Sequence, residues 1–168
     1  MSRPAGIALG SNLGERLVHL QAARDFLREI AIGPRFLQAS VYQTAPVACP
    51  DDAPDFLNTV VDFDFAGSPE ELLGAALALE SRLGRIRGTE RHAPRTLDVD
   101  LLYLGDHQIA SPQLDLPHPR LTQRRFVLEP LAEIRSEWRL PGDLMTIGQH
   151  LARLKSSEPP LQKVHPIW

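Results

Sequence analysis

Ten consecutive residues, Phe56–Phe65 (FLNTVVDFDF), alternate in two sets, and a helix-start signal follows them almost at once. Leu57, Thr59, Val61, Phe63 and Phe65 fall on one side of an extended chain; Phe56, Asn58, Val60, Asp62 and Asp64 fall on the other. The pattern predicts a strand with one buried and one wetter face. Ser68-Pro69-Glu70-Glu71 then reads as a capping box with proline at the first helical position. Leu72, Leu73, Ala76, Leu79 and Leu83 carry that helix to Gly84.

The flanking segments repeat the theme. Residues 5–9 (AGIAL) read as a short buried strand ending at the Gly10-Ser11-Asn12 turn signal. Leu17, Leu20, Leu27 and Ile30 share one helical face, and Gly33-Pro34 stops that helix. Residues 36–42 and 97–104 read as strands, and Gly105-Asp106 as a tight turn into 107–110. Helices are expected over 124–134 and from Thr146 to Lys155. The order β-α-β-β-α-β predicts an α+β fold: a ferredoxin-like α/β sandwich, a mainly antiparallel sheet with helices packed on it and long mobile loops. At 168 residues, 1–168 is expected to form one domain. Composition does not decide whether 156–168 docks, loosely or otherwise, or frays.

Cys49 is the single cysteine, so an intramolecular disulfide and a cysteine-cluster metal site are excluded. No apolar run approaches the ~18 residues of a membrane span, and the N-terminus is too weakly apolar for a secretion signal. A cytoplasmic, monomeric protein without membrane contact is expected. The net charge of −3 argues weakly against nucleic acid as a partner. The average hides an asymmetry: residues 51–71 carry −7 and residues 82–95 carry +4. Of 18 basic residues 16 are arginine, whose planar fork suits phosphate oxygens, although a GC-rich genome also favours arginine.

Placement gives the arginines meaning. Asp98 and Asp100, two apart on a strand, point to one face, while Leu97, Val99 and Leu101 point into the core. Adjacent carboxylates repel, and a hard divalent cation such as magnesium would relieve this, with substrate phosphates filling its other positions. Solvated aspartates or aspartates paired with arginines would also satisfy the pattern. The preceding loop carries Arg85, Arg87, Arg91 and Arg95, which suits polyphosphate chemistry, although a solvated, disordered basic loop would read the same. His118, between two prolines, could meet a phosphate or simply lie on the surface. Phe56 and Asn58 could stack on and read a flat heterocycle, or be a half-buried ring and a capping amide. There is no Walker A loop, kinase signature, GxSxG or Cys-His zinc pattern.

These residues resemble the 6-hydroxymethyl-7,8-dihydropterin pyrophosphokinase family. The resemblance runs in order over 5–155: Ala8-Leu9-Gly10-Ser11-Asn12-Leu13-Gly14, Tyr42-x-Thr44, Pro54-Asp55-Phe56-Leu57-Asn58, Gly84-Arg85-x-Arg87, Pro94-Arg95-Thr96-Leu97-Asp98-Val99-Asp100, Pro117-His118-Pro119-Arg120-Leu121, Arg124 and Phe126-Val127-Leu128. It implies transfer of the β,γ-diphosphate of ATP to the pterin hydroxymethyl oxygen, with AMP as the other product, in folate biosynthesis. It implies Asp98 and Asp100 as ligands of two magnesium ions, Arg85 and Arg95 as catalytic arginines, and Arg87, Arg91, His118 and Arg124 as ATP contacts. Thr44, Val47, Phe56, Asn58 and Phe126 would form the pterin pocket, and loop 84–96 would close over both substrates.

The sequence departs from the family pattern at four places. His92 stands where a lid tryptophan is common, Ala45 where proline is common, and Pro119 where tyrosine follows the histidine. Val47-Ala48-Cys49-Pro50 is slightly long and lacks the usual glycine. A DxD nucleotidyl- or glycosyltransferase, or a binding module that has lost catalysis, remain the competing readings.

Overall fold

The computed structural model describes residues 1–45, 54–83, 96–158 and 161–168. The chain runs β1 (Arg3–Ser11), α1 (Arg16–Ile30), β2 (Phe36–Gln38), β3 (Val41–Thr44), β4 (Phe56–Phe65), α2 (Pro69–Arg82) and β5 (Asp98–Leu104). β6 (Ile109–Ala110), β7 (Asp115–Leu116), a 3-10 turn (Leu121–Gln123), α3 (Arg125–Arg135), α4 (Ile147–Arg153) and β8 (Gln162–His165) follow. The large sheet has the order β5-β1-β4-β3-β8, with β2 also on β4, and every pairing is antiparallel. The expected sandwich is thus present, with β1 and β4 at its centre.

One face packs on α1 and α2. Ile7, Leu9, Leu57, Val61, Phe63, Val99 and Leu101 meet Leu20, Leu27, Leu72 and Leu79 there. The capping box starts α2 as its sequence requires: Glu71 N–H donates to Ser68 Oγ at 3.1 Å, and Ser68 N–H to Glu71 Oε2 at 2.6 Å. A second capping box, Thr146 with Gln149, starts α4.

The other face of β4 is not the wetter one that its alternation predicts. Val60 and Asp62 are fully buried and Asn58 nearly so. α3 and α4 cover this face through Val127, Leu128, Leu131 and Ile147, which pack on Ala8, Val60, Leu102 and Tyr103. Asp62 is tolerated there because it is multiply paired. It accepts short hydrogen bonds from Arg35 and from the Tyr103 hydroxyl, and Arg135 Nε lies 3.3 Å away. Arg35 also binds Asp64 at 2.7 Å. Burial, reinforced by the Asp62 charge, pushes the Tyr103 phenol well up, so it stays a donor.

Three further differences refine the sequence reading. The strand expected over 36–42 is broken into β2 and β3, both paired with β4. The turn at Gly105 forms, with φ +52°, but β6 beyond it pairs with β7 in a separate two-stranded sheet. The tail docks: Gln162–His165 pairs with β3, and Trp168 Nε1–H donates to Ala39 O at 2.8 Å while Arg24 lies over its ring.

Removing the shared acceptor of the buried network leaves two guanidinium groups and a phenol without it. Asp62→Ala is expected to lower the unfolding free energy by about 3 kcal/mol, and Tyr103→Phe by about 1.5 kcal/mol. Urea unfolding monitored by circular dichroism reads both.

Candidate functional site

The site lies at one end of the face covered by α3, and its floor is Gly10. The glycine is not the turn that its sequence neighbourhood suggests, because β1 continues through it to Ser11. Gly10 stands opposite Asn58 on one side and Asp98 on the other. Strands lie about 4.8 Å apart, so Asn58 and Asp98 are separated by roughly 10 Å across a backbone floor. A Cβ on Gly10 would come within 2.9 Å of Asn58 Oδ1 and 3.6 Å of the Phe56 ring. Glycine inside a strand is costly and marks a close approach to the backbone.

On one side of the floor, Asn58 Nδ2–H donates to Thr44 Oγ1 at 2.7 Å. Thr44 stands opposite Phe56, and Tyr42 opposite Asn58, so the predicted pocket residues Thr44, Phe56 and Asn58 share one patch of one face. The approach to Phe56 is fixed by three groups that the sequence reading missed. Arg16 donates to Asp55 O at 2.7 Å, Gln43 to Asp55 Oδ2 at 2.9 Å, and Asn12 to Pro54 O at 3.4 Å. For Asn12 the signal was the Gly10-Ser11-Asn12 motif itself, whose asparagine is fully buried.

On the other side stand Asp98 and Asp100, both partly exposed, on the face of Gly10 and Ala8. Leu97, Val99 and Leu101 point into the core on α1 and α2, as their alternation requires. Arg124, just before α3, brings Nη1 to 3.9 Å from Asp100 Oδ2 and its guanidinium to 5.5 Å from the Phe126 ring centroid. The start of α3 is tied to the tail, where Arg125 N–H donates to Glu158 Oε2 at 3.0 Å.

His118 N–H donates to Leu102 O at 2.8 Å, and His118 Nδ1 accepts from Arg120 N–H at 3.1 Å. Nδ1 is therefore unprotonated, and the neutral ring carries its proton on Nε2. Burial, then the charges of Arg124 and Arg120, hold the ring below the usual histidine range against the opposing pull of Asp115 and Asp98.

Two hard carboxylates on one face form a donor set that suits magnesium, with substrate oxygens and water completing its shell. No group of three or more His, Cys, Asp or Glu side chains able to hold a metal occurs among the described residues. Val47, Arg85, Arg87, Arg91, His92 and Arg95 lie outside the described residues.

The family model of 7,8-dihydro-6-hydroxymethylpterin-pyrophosphokinase matches residues 6–136. A relative from Bacillus subtilis, 2-amino-4-hydroxy-6-hydroxymethyldihydropteridine pyrophosphokinase, is 42% identical over 134 residues, 80% of this chain and 79% of its own. The protein of the same name from Synechocystis is 41% identical over 145 residues, 86% of this chain and 73% of its own. That from Pseudomonas aeruginosa is 37% identical over 153 residues, 91% of this chain and 90% of its own. Among solved structures, wild-type Plasmodium falciparum HPPK-DHPS with pteroate shares the fold at a TM-score of 0.70 and 15% identity, over 91% of this chain and 42% of that longer one. The glycine floor, the amide patch and the paired carboxylates thus sit within a matched segment that spans most of the chain, which belongs to the 7,8-dihydro-6-hydroxymethylpterin-pyrophosphokinase family.

Proposed function

We propose that the chain transfers the β,γ-diphosphate of ATP to the hydroxymethyl oxygen of 6-hydroxymethyl-7,8-dihydropterin, releasing AMP, in folate biosynthesis. One observation carries the reading. A bare backbone floor at Gly10 separates a half-buried amide–hydroxyl pair from two carboxylates by about the length of a bicyclic ring with its side arm.

In this reading Asn58 and Thr44 read the hydrogen-bonding edge of the pterin. Phe56, Phe126 and Val47 supply its apolar walls. Asp98 and Asp100 would hold two magnesium ions, which would supply positive charge to neutralise the ATP phosphates. Arg87, Arg91, His118 and Arg124 contact ATP, and Arg85 and Arg95 stabilise charge that shifts onto the leaving AMP. The chain provides position and charge, and the in-line attack of the hydroxymethyl oxygen on the β-phosphorus needs little more. The neutral His118 ring offers Nε2–H to a phosphate or ribose oxygen. The same reading has the chain acting as a cytoplasmic monomer on small molecules, without nucleic acid. Among the described residues no helix is long and apolar enough to cross a membrane.

The direct test is incubation with ATP, Mg²⁺ and the hydroxymethyl-dihydropterin, with nucleotide products separated by chromatography. AMP supports the reading; ADP, free phosphate or no product rejects it. Asp98→Ala and Asp100→Ala are each expected to lower kcat by at least roughly 100-fold. Gly10→Ala, which crowds Asn58, should raise the pterin KM roughly 10-fold and leave the ATP KM unchanged. His118→Ala should raise the ATP KM roughly 10-fold through loss of one hydrogen bond to a charged group. Because the ring is already neutral, the wild-type ATP KM should show no histidine titration between about pH 7 and 8.

A further inference from the structure

A single carboxylate on α3 grips the strand that carries half of the amide patch. Glu133 Oε1 accepts from Ser40 N–H at 3.1 Å and from Ser40 Oγ–H at 2.7 Å. Glu133 Oε2 accepts from the Tyr42 hydroxyl at 2.6 Å. Lys163, from β8, places Nζ 3.8 Å from the same oxygen and 5.7 Å from the centre of the Tyr42 ring. Two strands, the break between β2 and β3, and a helix therefore meet at this one group.

The position of this grip matters. Ser40 sits in the break between β2 and β3, where the two carbonyls of Ala39 and Ser40 are met by Thr59 Oγ1–H at 3.1 and 3.0 Å. The break thus replaces ladder bonds with side-chain bonds, and the Ser40 N–H goes to Glu133. Tyr42 then stands opposite Asn58, and Thr44 opposite Phe56. β3 is only four residues long, and its ladder with β4 sets Thr44 opposite Phe56. The anchor two and four residues earlier adds a side-chain restraint on that same short strand.

We infer that Glu133 is a positioning residue for the pterin site: through Ser40 and Tyr42 it fixes β3 so that Thr44 Oγ1 holds the Asn58 amide in its reading orientation. The inference rests on the proposed pterin reading, because it assigns Glu133 to that substrate and not to ATP. Burial works against ionisation of Glu133, but the hydrogen bonds from Tyr42 and Ser40 and the charge of Lys163 win and hold its carboxyl below the usual range. The Tyr42 phenol is pushed well up by burial and by Glu133, so it remains the donor of its pair.

A glutamine at this position can keep the geometry. Its carbonyl oxygen can accept from Ser40, and its NH₂ can donate to a Tyr42 hydroxyl that rotates to accept. Alanine cannot keep any of these bonds. Loss of folded enzyme alone would lower the maximal rate and leave both KM values unchanged, whereas a displaced Asn58 amide changes pterin binding selectively.

The test measures dissociation constants of 6-hydroxymethylpterin and of ATP by calorimetry, and both KM values, for the wild type and for Glu133→Ala, Glu133→Gln and Tyr42→Phe. Glu133→Ala should weaken the pterin constants at least 10-fold with ATP unchanged, Glu133→Gln should recover to within about threefold of wild type, and Tyr42→Phe should weaken pterin about threefold. Tyr42→Phe, which deletes one hydroxyl, gives the result if Glu133→Ala does not fold. Equal pterin binding in all variants, or equal losses for pterin and ATP, overturns the positioning role while the pterin reading stands. Failure of the wild type to bind the pterin overturns both.

Discussion

The absence of a side chain at Gly10 is the constraint on which the site depends. β1 is hydrogen-bonded along both edges, so a residue at its C-terminal end can be approached only from a face of the sheet. With no Cβ at Gly10, the floor lies at backbone height and Asn58 and Asp98 rise on either side of it. Two residues earlier in β1, Ala8 stands between Val60 and Asp100 and packs under α3. One step of side-chain alternation along three strands therefore separates packed core from candidate site. The helices α3 and α4 are placed so that their apolar residues stop where the polar residues of the strands begin.

Charge placement follows the same division. Within the acidic stretch over 51–71, four of the described carboxylates have structural partners, and one of them, Asp62, is fully buried. Asp62 and Asp64 are met by Arg35, with Arg135 beside Asp62, and Asp55 is met by Gln43, while Glu71 closes a capping box. Several arginines outside the 82–95 segment are likewise structural: Arg16 holds the turn before Phe56, and Arg24 holds Trp168. Burying Asp62 completely is possible only because its oxygens are all engaged, since an unmet buried carboxylate would cost several kcal/mol. Some arginines thus neutralise the buried Asp62 or tie down backbone carbonyls, and another group lies next in sequence to Asp98 and Asp100.

What was legible in the sequence was local. The alternation of β4, the Ser68 cap and the same-face spacing of Asp98 and Asp100 depend on neighbours a few residues apart, and each is found where its pattern puts it. The wet face of β4 was misread because α3, some 65 residues later, covers it. Gly10 was read as a turn because glycine punctuates chains more often than it floors a site. The β8 strand carries almost no pattern: Gln162 and Lys163 are exposed, and its pairing is a matter of backbone bonds and of Trp168. Thr44 and Asn58 were each legible as candidates, but their hydrogen bond depends on a register that Ser40 and Glu133 help to set. That register joins segments about 90 residues apart, and no window of sequence contains both.

The pair formed by Asp100 and Arg124 shows how such a site can exist before its substrates arrive. At 3.9 Å and partly exposed, the contact is a weak one, of the order of 1 kcal/mol or less. It places a positive charge beside the two carboxylates. On the proposed reading, Arg124 would meet a phosphate oxygen, and Asp100 would be one of the carboxylates that hold the divalent cation. The contact between the two is partly exposed, in contrast to the fully buried Asp62 with its several partners. Among the described residues, the ion pairs of Asp62 thus lie within the covered part of the sheet, and the Asp100–Arg124 contact lies beside the candidate site.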